Sequence, residues 1–92
     1  MIPSQGRIVH YKLHESNVAQ INTSRQQQSG THGNPVSTGD IYPMMIVRLW
    51  TDNPDHQSVV QGQVFLDGND TLWVTSVKQG DEEGQWHQPV HI

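Results

Sequence analysis

A tetrad of turn-forming residues between two alternating segments constrains the fold of this chain more than any other feature. Residues 58–66 (SVVQGQVFL) precede the tetrad DGND at residues 67–70, and residues 71–77 (TLWVTSV) follow it. Apolar–polar alternation is typical of half-buried strands, and Gly and Asn tolerate the backbone of tight turns. The pattern predicts an antiparallel β-hairpin. Gly62 inside the first arm predicts a bulge or a bend.

The N-terminal part of the chain alternates in the same way. In residues 7–13, Val9, Tyr11 and Leu13 fall on one face, and residues of mixed polarity fall on the other. This period of two predicts another half-buried strand.

The most apolar stretch is YPMMIVRLW at residues 42–50. Both of its faces are largely apolar, so we expect a strand that is covered on both sides. Pro43 is expected at the start of this strand or on an edge, because proline cannot donate to a ladder. Residues 85–90 predict a short closing strand.

The segment between the first two strands predicts a weak helix and then a loop. Residues 15–27 contain Val18 and Ile21 at a spacing of i, i+3, and Ser16 is a candidate N-cap. Several residues here have poor helix propensity, so the helix needs docking to persist. Residues 28–40 contain three Gly, one Pro and almost nothing apolar, which predicts a flexible exposed connection.

Four or five strands, one short helix and no βαβ spacing predict a mainly β fold. We expect residues 1–92 to form a single domain with an N-terminal arm at residues 1–5. The expected architecture is a small curled antiparallel sheet or an SH3-like barrel, because closure protects the sheet edges.

Composition and charge exclude several classes of function. Five Lys and Arg against nine Asp and Glu give a net charge of −4, so nucleic acid is an unlikely partner. No apolar run approaches the roughly 18 residues of a membrane span, and no export signal is visible. The chain has no Cys, which excludes disulfides, thiolate metal sites and cysteine nucleophiles.

Two patterns resemble metal sites, and both have simpler explanations. His87 and His91 are four residues apart, as two zinc ligands on a helix would be, but Pro89 between them disrupts a helix. The tetrad at residues 67–70 resembles a fragment of a calcium loop, but it is too short to wrap the ion. We therefore predict no metal and no cofactor.

No catalytic motif is present, and the carboxylates cluster in predicted turns. General acid–base catalysis needs a carboxylate held in a cleft, and solvated turn residues lack that environment. No nucleophile elbow and no phosphate-binding glycine loop occurs. We predict that the chain is not an enzyme. The enzymatic alternative requires a cleft that gathers His10, His87 and a carboxylate.

Apolar residues exceed what one inner face of a small sheet needs. Met44, Ile46 and Trp50 share one side of the second strand, and Val59 and Phe65 share one side of the third. If the opposite faces form the core, these side chains need a second cover, which either the helix or a partner chain supplies. The predicted partner-binding residues are Met44, Ile46, Trp50, Phe65, Trp86 and His87.

The order of five motifs resembles a widespread family of small proteins encoded by tailed bacteriophages, most of which are uncharacterised. The motifs are GRIVHY at 6–11, YPMMIVRLW at 42–50, GQVFLDGND at 62–70, LWVTSV at 72–77 and GQWHQP at 84–89. The resemblance covers most of the chain, and residues 15–40 correspond to the variable part of the family. Gln88 departs from the pattern, because the family tends to carry a second Trp there.

The resemblance implies a phage setting, and size and setting suggest a role by analogy. We expect a virion structural protein, specifically a capsid decoration or cement protein made in the host cytoplasm and located on the phage head. Its expected partners are the major capsid protein, copies of itself, or both, bound through strand edges and apolar anchors. The alternative is a non-virion accessory protein that binds a host protein or nucleic acid.

Overall fold

The computed structural model describes residues 1–89 and confirms the mainly β fold with one helix in that range. The predicted strand segments all form strands, with ends that shift by a few residues. The elements are β1 (Ile8–Lys12), α1 (Glu15–Gln27), β2 (Ile41–Leu49), β3 (Val60–Phe65), β4 (Thr71–Val77) and β5 (Trp86–His87). The predicted closing strand is shorter than expected, and residues 90–92 lie outside the described residues.

The five strands form one antiparallel sheet in the order β4-β3-β2-β1-β5. The sheet curls, because the segment after β4 reaches β5. The backbone N–H of Trp86 donates to the carbonyl of Lys78 at 3.0 Å, and the N–H of Gly80 donates to the carbonyl of Trp86 at 2.8 Å. The predicted small curled antiparallel sheet is therefore confirmed.

The β3–β4 hairpin has the predicted turn and the predicted bulge. Phe65 pairs with Thr71 at the turn, and the register shifts between Val60 and Gly62. A Cβ at Gly62 would lie 2.6 Å from Cγ of Met44 and 2.8 Å from the carbonyl oxygen of Met45. Glycine is therefore favoured here, because a side chain would collide with the Met44 side chain and with the backbone of β2.

The core lies on the inner, concave side of the curled sheet. The predicted face of β1 is confirmed, since Val9 and Leu13 are fully buried and Tyr11 nearly so. The remaining buried apolar residues come from all the other strands, the helix and the connections: Ile21, Val36, Met44, Ile46, Val60, Val64, Leu66, Leu72, Val74, Val77 and Trp86.

Proline is tolerated in the central strand β2 because it lies near the start of that strand. Pro43 is opposite His10 of β1, and the ladder to β3 begins only at Met44. The N–H of Ile46 points toward β1, where it donates to the carbonyl of Arg7 at 2.9 Å. By alternation, the nitrogen of Pro43 points to the other side, where no partner is yet paired.

Helix α1 has the predicted bounds, but its N-cap lies two residues before the predicted one. The N-cap is His14 rather than Ser16, and its Nδ1 accepts from the backbone N–H of Ser16 at 3.1 Å. The side-chain oxygen of Asn17 accepts from the backbone N–H of His14 at 2.9 Å, which completes a reciprocal cap. Ile21 is buried and Val18 packs against the core, so the predicted docking face is confirmed.

The loop at residues 28–40 follows the hairpin turn closely. Gly33 forms a bridge with Gly68, and the N–H of Asn34 donates to the carbonyl of Asp67 at 2.8 Å. The Nδ2 amide of Asn69 donates to the carbonyl of Gly30 at 2.8 Å. These bonds fix the position of the first half of the loop, and its flexibility stays a prediction.

The N-terminal arm is docked on β2. Pro3 is fully buried, and the backbone N–H of Gly6 donates to the carbonyl of Ile46 at 2.7 Å. The side-chain amide of Gln5 donates to the carbonyl of Val47 at 3.0 Å. The arm therefore extends the sheet contacts beyond the start of β1.

Candidate binding surface

The convex side of the sheet carries a row of side chains that crosses four strands and is apolar on three of them. In the strand register, Ile8 lies beside Met45, Met45 beside Gln63, and Gln63 beside Trp73. Ile8 is 44% exposed, Met45 36% and Trp73 54%. Contiguous exposed apolar area of this kind marks interaction sites more often than scattered single residues do.

Three more large exposed side chains lie on either side of this row, along the direction of the strands. Ile41 and Phe65 lie on the same side of β2 and β3 and are substantially exposed. Trp50 follows β2 and packs under the guanidinium of Arg48, whose Cζ is 4.2 Å from the ring centroid. We call this set the outer apolar face, and it consists of Ile8, Ile41, Met45, Trp50, Phe65 and Trp73.

Three of the predicted partner-binding residues are wrong as surface anchors. Met44, Ile46 and Trp86 are each 0% exposed and belong to the core. For Met44 and Ile46 the reason is that both faces of β2 are apolar, so the pattern alone does not select the inner face. Pairing of Met44 with Val64 of β3 places Met44 and Ile46 on the inner side of the sheet.

Trp50 and Phe65 are exposed, as a role in partner binding requires. Trp50 lies outside although Met44 and Ile46 lie inside, because the register of β2 shifts between Ile46 and Arg48. The extra residue in this bulge inverts the alternation, so Arg48 and Trp50 face outward. Their binding to a partner stays a prediction.

The sequence analysis missed four members of the outer apolar face, namely Ile8, Ile41, Met45 and Trp73. The outward position of Ile8 could have been predicted, because Ile8 alternates with Val9 on the predicted core face. Trp73 alternates in the same way with Leu72 and Val74, but aromatic residues are usually core residues in small domains. Exposure of Trp73 was therefore not evident before the inner face was known.

His87 lies beside His10 on the convex side. The two residues are register partners across β1 and β5, and their ring centroids are 5.7 Å apart with the planes at 89°. Within residues 1–89, neither ring hydrogen-bonds a carboxylate. The structure therefore brings together the two histidines of the enzymatic alternative, but no carboxylate of residues 1–89 is hydrogen-bonded to them. His91 lies outside the described residues.

Charge is unevenly distributed between strands and connections. All nine Asp and Glu side chains lie outside the five strands, whereas the strands contain Lys12 and Arg48. Lys12 donates to the backbone carbonyl of Asp81 at 2.7 Å. The convex side therefore presents apolar, amide and cationic groups, and a complementary surface would be apolar with acidic or carbonyl oxygens at its rim.

Two ionisable groups with shifted pKa values make contacts that hold the fold together. The Arg25 guanidinium hydrogen-bonded to Asp70 lowers the pKa of that carboxyl. Burial raises the pKa of the Tyr11 hydroxyl. Each of these groups links the helix to the sheet region, Asp70 through Arg25 and Tyr11 through Asn17. Glu82 and Glu83 line a surface depression with Lys12, but both are exposed and solvated rather than held in a dry cleft.

Residues 1–89 contain no group of three potential metal-ligating side chains and no helix with the length and apolar character to cross a membrane. Comparisons with protein-family models, curated proteins and solved structures find no match to this chain. The resemblance to small phage proteins therefore remains a hypothesis drawn from the motifs. The outer apolar face is the feature from which a function can be argued.

Proposed function

We propose that this chain is a phage virion structural protein, a capsid decoration protein that docks on the head through its outer apolar face. One observation carries the proposal: large apolar side chains remain exposed on the convex side at Ile8, Met45 and Trp73, with one glutamine of β3 between the last two in the register. A small monomer with no partner would gain solubility by replacing them with polar residues.

The row is large enough to matter energetically. Burying a fully exposed large apolar side chain stabilises a complex by roughly 1.5–3 kcal/mol before the costs of association, and a side chain that is half exposed contributes about half of that. Phe65, Trp50 and Trp73 are also the residue types that dominate binding hot spots or interface cores.

The partner surface implied by this face is protein rather than polyanion. Only two cations, Lys12 and Arg48, lie in the strands, and the Arg48 guanidinium already packs on Trp50. The half-buried Gln61 and Gln63 side chains add amide groups between the apolar ones. Such a mixture suits a shell protein that offers an apolar strip with oxygen acceptors along its edges.

Mass spectrometry of purified phage particles tests the setting. We expect the chain to be present at a stoichiometric ratio to the major shell protein. Absence from particles whose genome encodes the chain would overturn the virion assignment.

Co-sedimentation of purified chain with undecorated heads tests the surface. Phe65→Ser and Met45→Ser are expected to reduce bound protein at least tenfold. The matched control is Ile2→Ser, because Ile2 is 61% exposed on the N-terminal arm and outside the outer apolar face. Equal loss with all three variants would show that this face is not the docking surface.

The alternative is a non-virion accessory protein that binds a host protein or nucleic acid. The observation in its favour is the exposed aromatic set Trp50, Phe65 and Trp73 next to Arg48, because single strands stack on such side chains. Binding to nucleic acid weakens steeply with salt, and docking by apolar groups does not. Affinity for single-stranded DNA measured between low and high salt separates the two.

A further inference from the structure

Strand β4 forms an open edge of the sheet in the described part of the chain. Its inner neighbour is β3, and no backbone hydrogen bond from residues 1–89 reaches its other side between Thr71 and Thr75. The strand TLWVTSV carries no charge and no proline. Charged side chains and prolines are two of the protections that natural edge strands carry. Because β4 has neither, its edge between Thr71 and Thr75 is available for pairing.

The hydrogen-bonding pattern shows which backbone groups of β4 point outward. The backbone N–H and C=O groups of Ile46 point toward β1, so those of Met45 point toward β3. The backbone groups of Gln63, the register partner of Met45, therefore point toward β2. Val64 and Gly62 therefore bond to Leu72 and Val74. By alternation, the outward N–H and C=O groups belong to Thr71, Trp73 and Thr75.

These outward groups are arranged symmetrically about Trp73. Ser76 follows Thr75 with a left-handed φ of 54°, so the regular edge ends there. In an antiparallel pair of two copies, Trp73 faces Trp73, and Thr71 of each copy faces Thr75 of the other. All outward donors and acceptors are then matched, and no like charges are opposed.

We propose that β4 pairs with β4 of a second copy of this chain, with Trp73 on the two-fold axis. The two sheets become one continuous sheet whose side-chain faces are preserved across the junction. Both outer apolar faces then point to the same side. This inference goes beyond the proposed function and does not depend on it, because the pairing requires only the edge.

Cysteine cross-linking tests both the association and the register, because the chain contains no cysteine. Hydrogen-bonded antiparallel partners have Cα atoms about 5.5 Å apart, which suits a disulfide. Mixing Thr71→Cys chains with Thr75→Cys chains under mild oxidation is expected to give a heterodimeric disulfide. Either variant alone is expected to give little, because identical positions lie about 13 Å apart along the strands.

The matched control mixes Thr38→Cys with Thr75→Cys, since Thr38 is exposed in a loop away from β4. Cross-linking that is no faster for Thr71 with Thr75 than for this control would overturn the proposal. Sedimentation equilibrium of the native chain is expected to give twice the 10.4 kDa chain mass. A monomer at every concentration up to the solubility limit would also overturn it.

Two lysine variants separate this inference from the docking proposal. Trp73→Lys opposes two cations on the axis and is expected to abolish the dimer, with an unchanged circular dichroism spectrum showing that the fold is retained. Phe65→Lys changes the outer face of β3 and is expected to abolish head binding while leaving the dimer intact. Loss of the dimer with Phe65→Lys and not with Trp73→Lys would contradict the assigned edge.

The salt dependence provides an independent check. Each chain carries a net charge of −4, so the two copies repel at low ionic strength. Dimerisation is therefore expected to strengthen several-fold as salt is added. A dimer that dissociates as salt rises would require attractive charge pairs that β4 does not contain.

Discussion

Arg25 and Asp70 connect the last turn of α1 to the turn of the β3–β4 hairpin. Nε of Arg25 lies 2.8 Å from one carboxylate oxygen, and a terminal guanidinium nitrogen lies 3.1 Å from the other. Both side chains are only 12% exposed. The same guanidinium donates to the carbonyl of Asn34 at 2.8 Å, so one side chain joins the helix, the loop and the hairpin.

This ion pair predicts an acid-sensitive part of the stability. The lowered pKa of Asp70 stabilises the fold above the unfolded-state pKa of about 3.9, and this stabilisation is lost as the pH falls through the lower folded-state value. Asp70→Asn is expected to cost about 1–2 kcal/mol at pH 7. In urea unfolding, the difference from the native chain should shrink below pH 4. Asp52→Asn, in an exposed turn, should show no such difference; a constant difference for Asp70→Asn down to pH 2 would contradict the assignment.

The hydroxyl of Tyr11 predicts a second, alkaline limit to stability. It donates to Oδ1 of Asn17 at 2.8 Å in a buried position, and burial raises its pKa. Because the folded-state pKa lies above the unfolded value of about 10, stability is fully present below that pH and declines as the pH rises above it. Tyr11→Phe is expected to cost about 1 kcal/mol at pH 7 and to reduce the alkaline decline. Chemical unfolding at pH 7 and pH 11 measures both effects, and an unaltered alkaline decline would refute this role.

A side chain at position 62 is expected to create a steric conflict with β2, and a second substitution is expected to relieve part of that conflict. Gly62→Ala places a methyl group against Met44 and the Met45 carbonyl, and overpacking of this kind costs about 1–3 kcal/mol. Met44→Ala removes one of the two obstacles. A double-mutant cycle by thermal unfolding should therefore show a favourable coupling energy between the two substitutions. Additive effects would mean that the backbone carbonyl alone causes the conflict.

Trp50 is largely exposed and Trp86 is buried, so their replacement by alanine is expected to have opposite effects on partner binding and on stability. Trp50 is 54% exposed, so Trp50→Ala should change the unfolding free energy by under about 1 kcal/mol and weaken partner binding. Trp86 is fully buried, so Trp86→Ala should cost about 3–5 kcal/mol and unfold much of the protein. Unfolding of the isolated Trp50→Ala variant would place that ring in the core instead.

Local sequence signals were sufficient for the elements that depend on neighbouring residues. The hairpin around residues 67–70 was predictable because its turn and its alternation lie within one short segment. The burial of Val9, Tyr11 and Leu13 was predictable because their strand has one clearly apolar face. The N-cap was misassigned to Ser16, because a histidine cap that depends on Asn17 has no strong signal in the sequence.

The candidate surface was only half predictable, because it depends on which face of β2 turns inward. Met44 and Met45 are identical in type and adjacent in sequence, yet one is fully buried and the other is 36% exposed. A single residue of register decides between them. The prediction that Met44 and Ile46 face outward is wrong because it assigns the inner face of β2 to the other set of residues. Trp50 faces outward because of a bulge that no local pattern indicates.

The sequence by itself determined the strands, the hairpin and the class of fold, since alternation and turn chemistry act between near neighbours. Curling of the sheet decided the rest. It buried Trp86 between the ends of the sheet, left β4 as an edge and left Trp73 on the convex side. These outcomes depend on contacts between residues far apart in the chain, and such contacts form only when the whole sheet curls around one core.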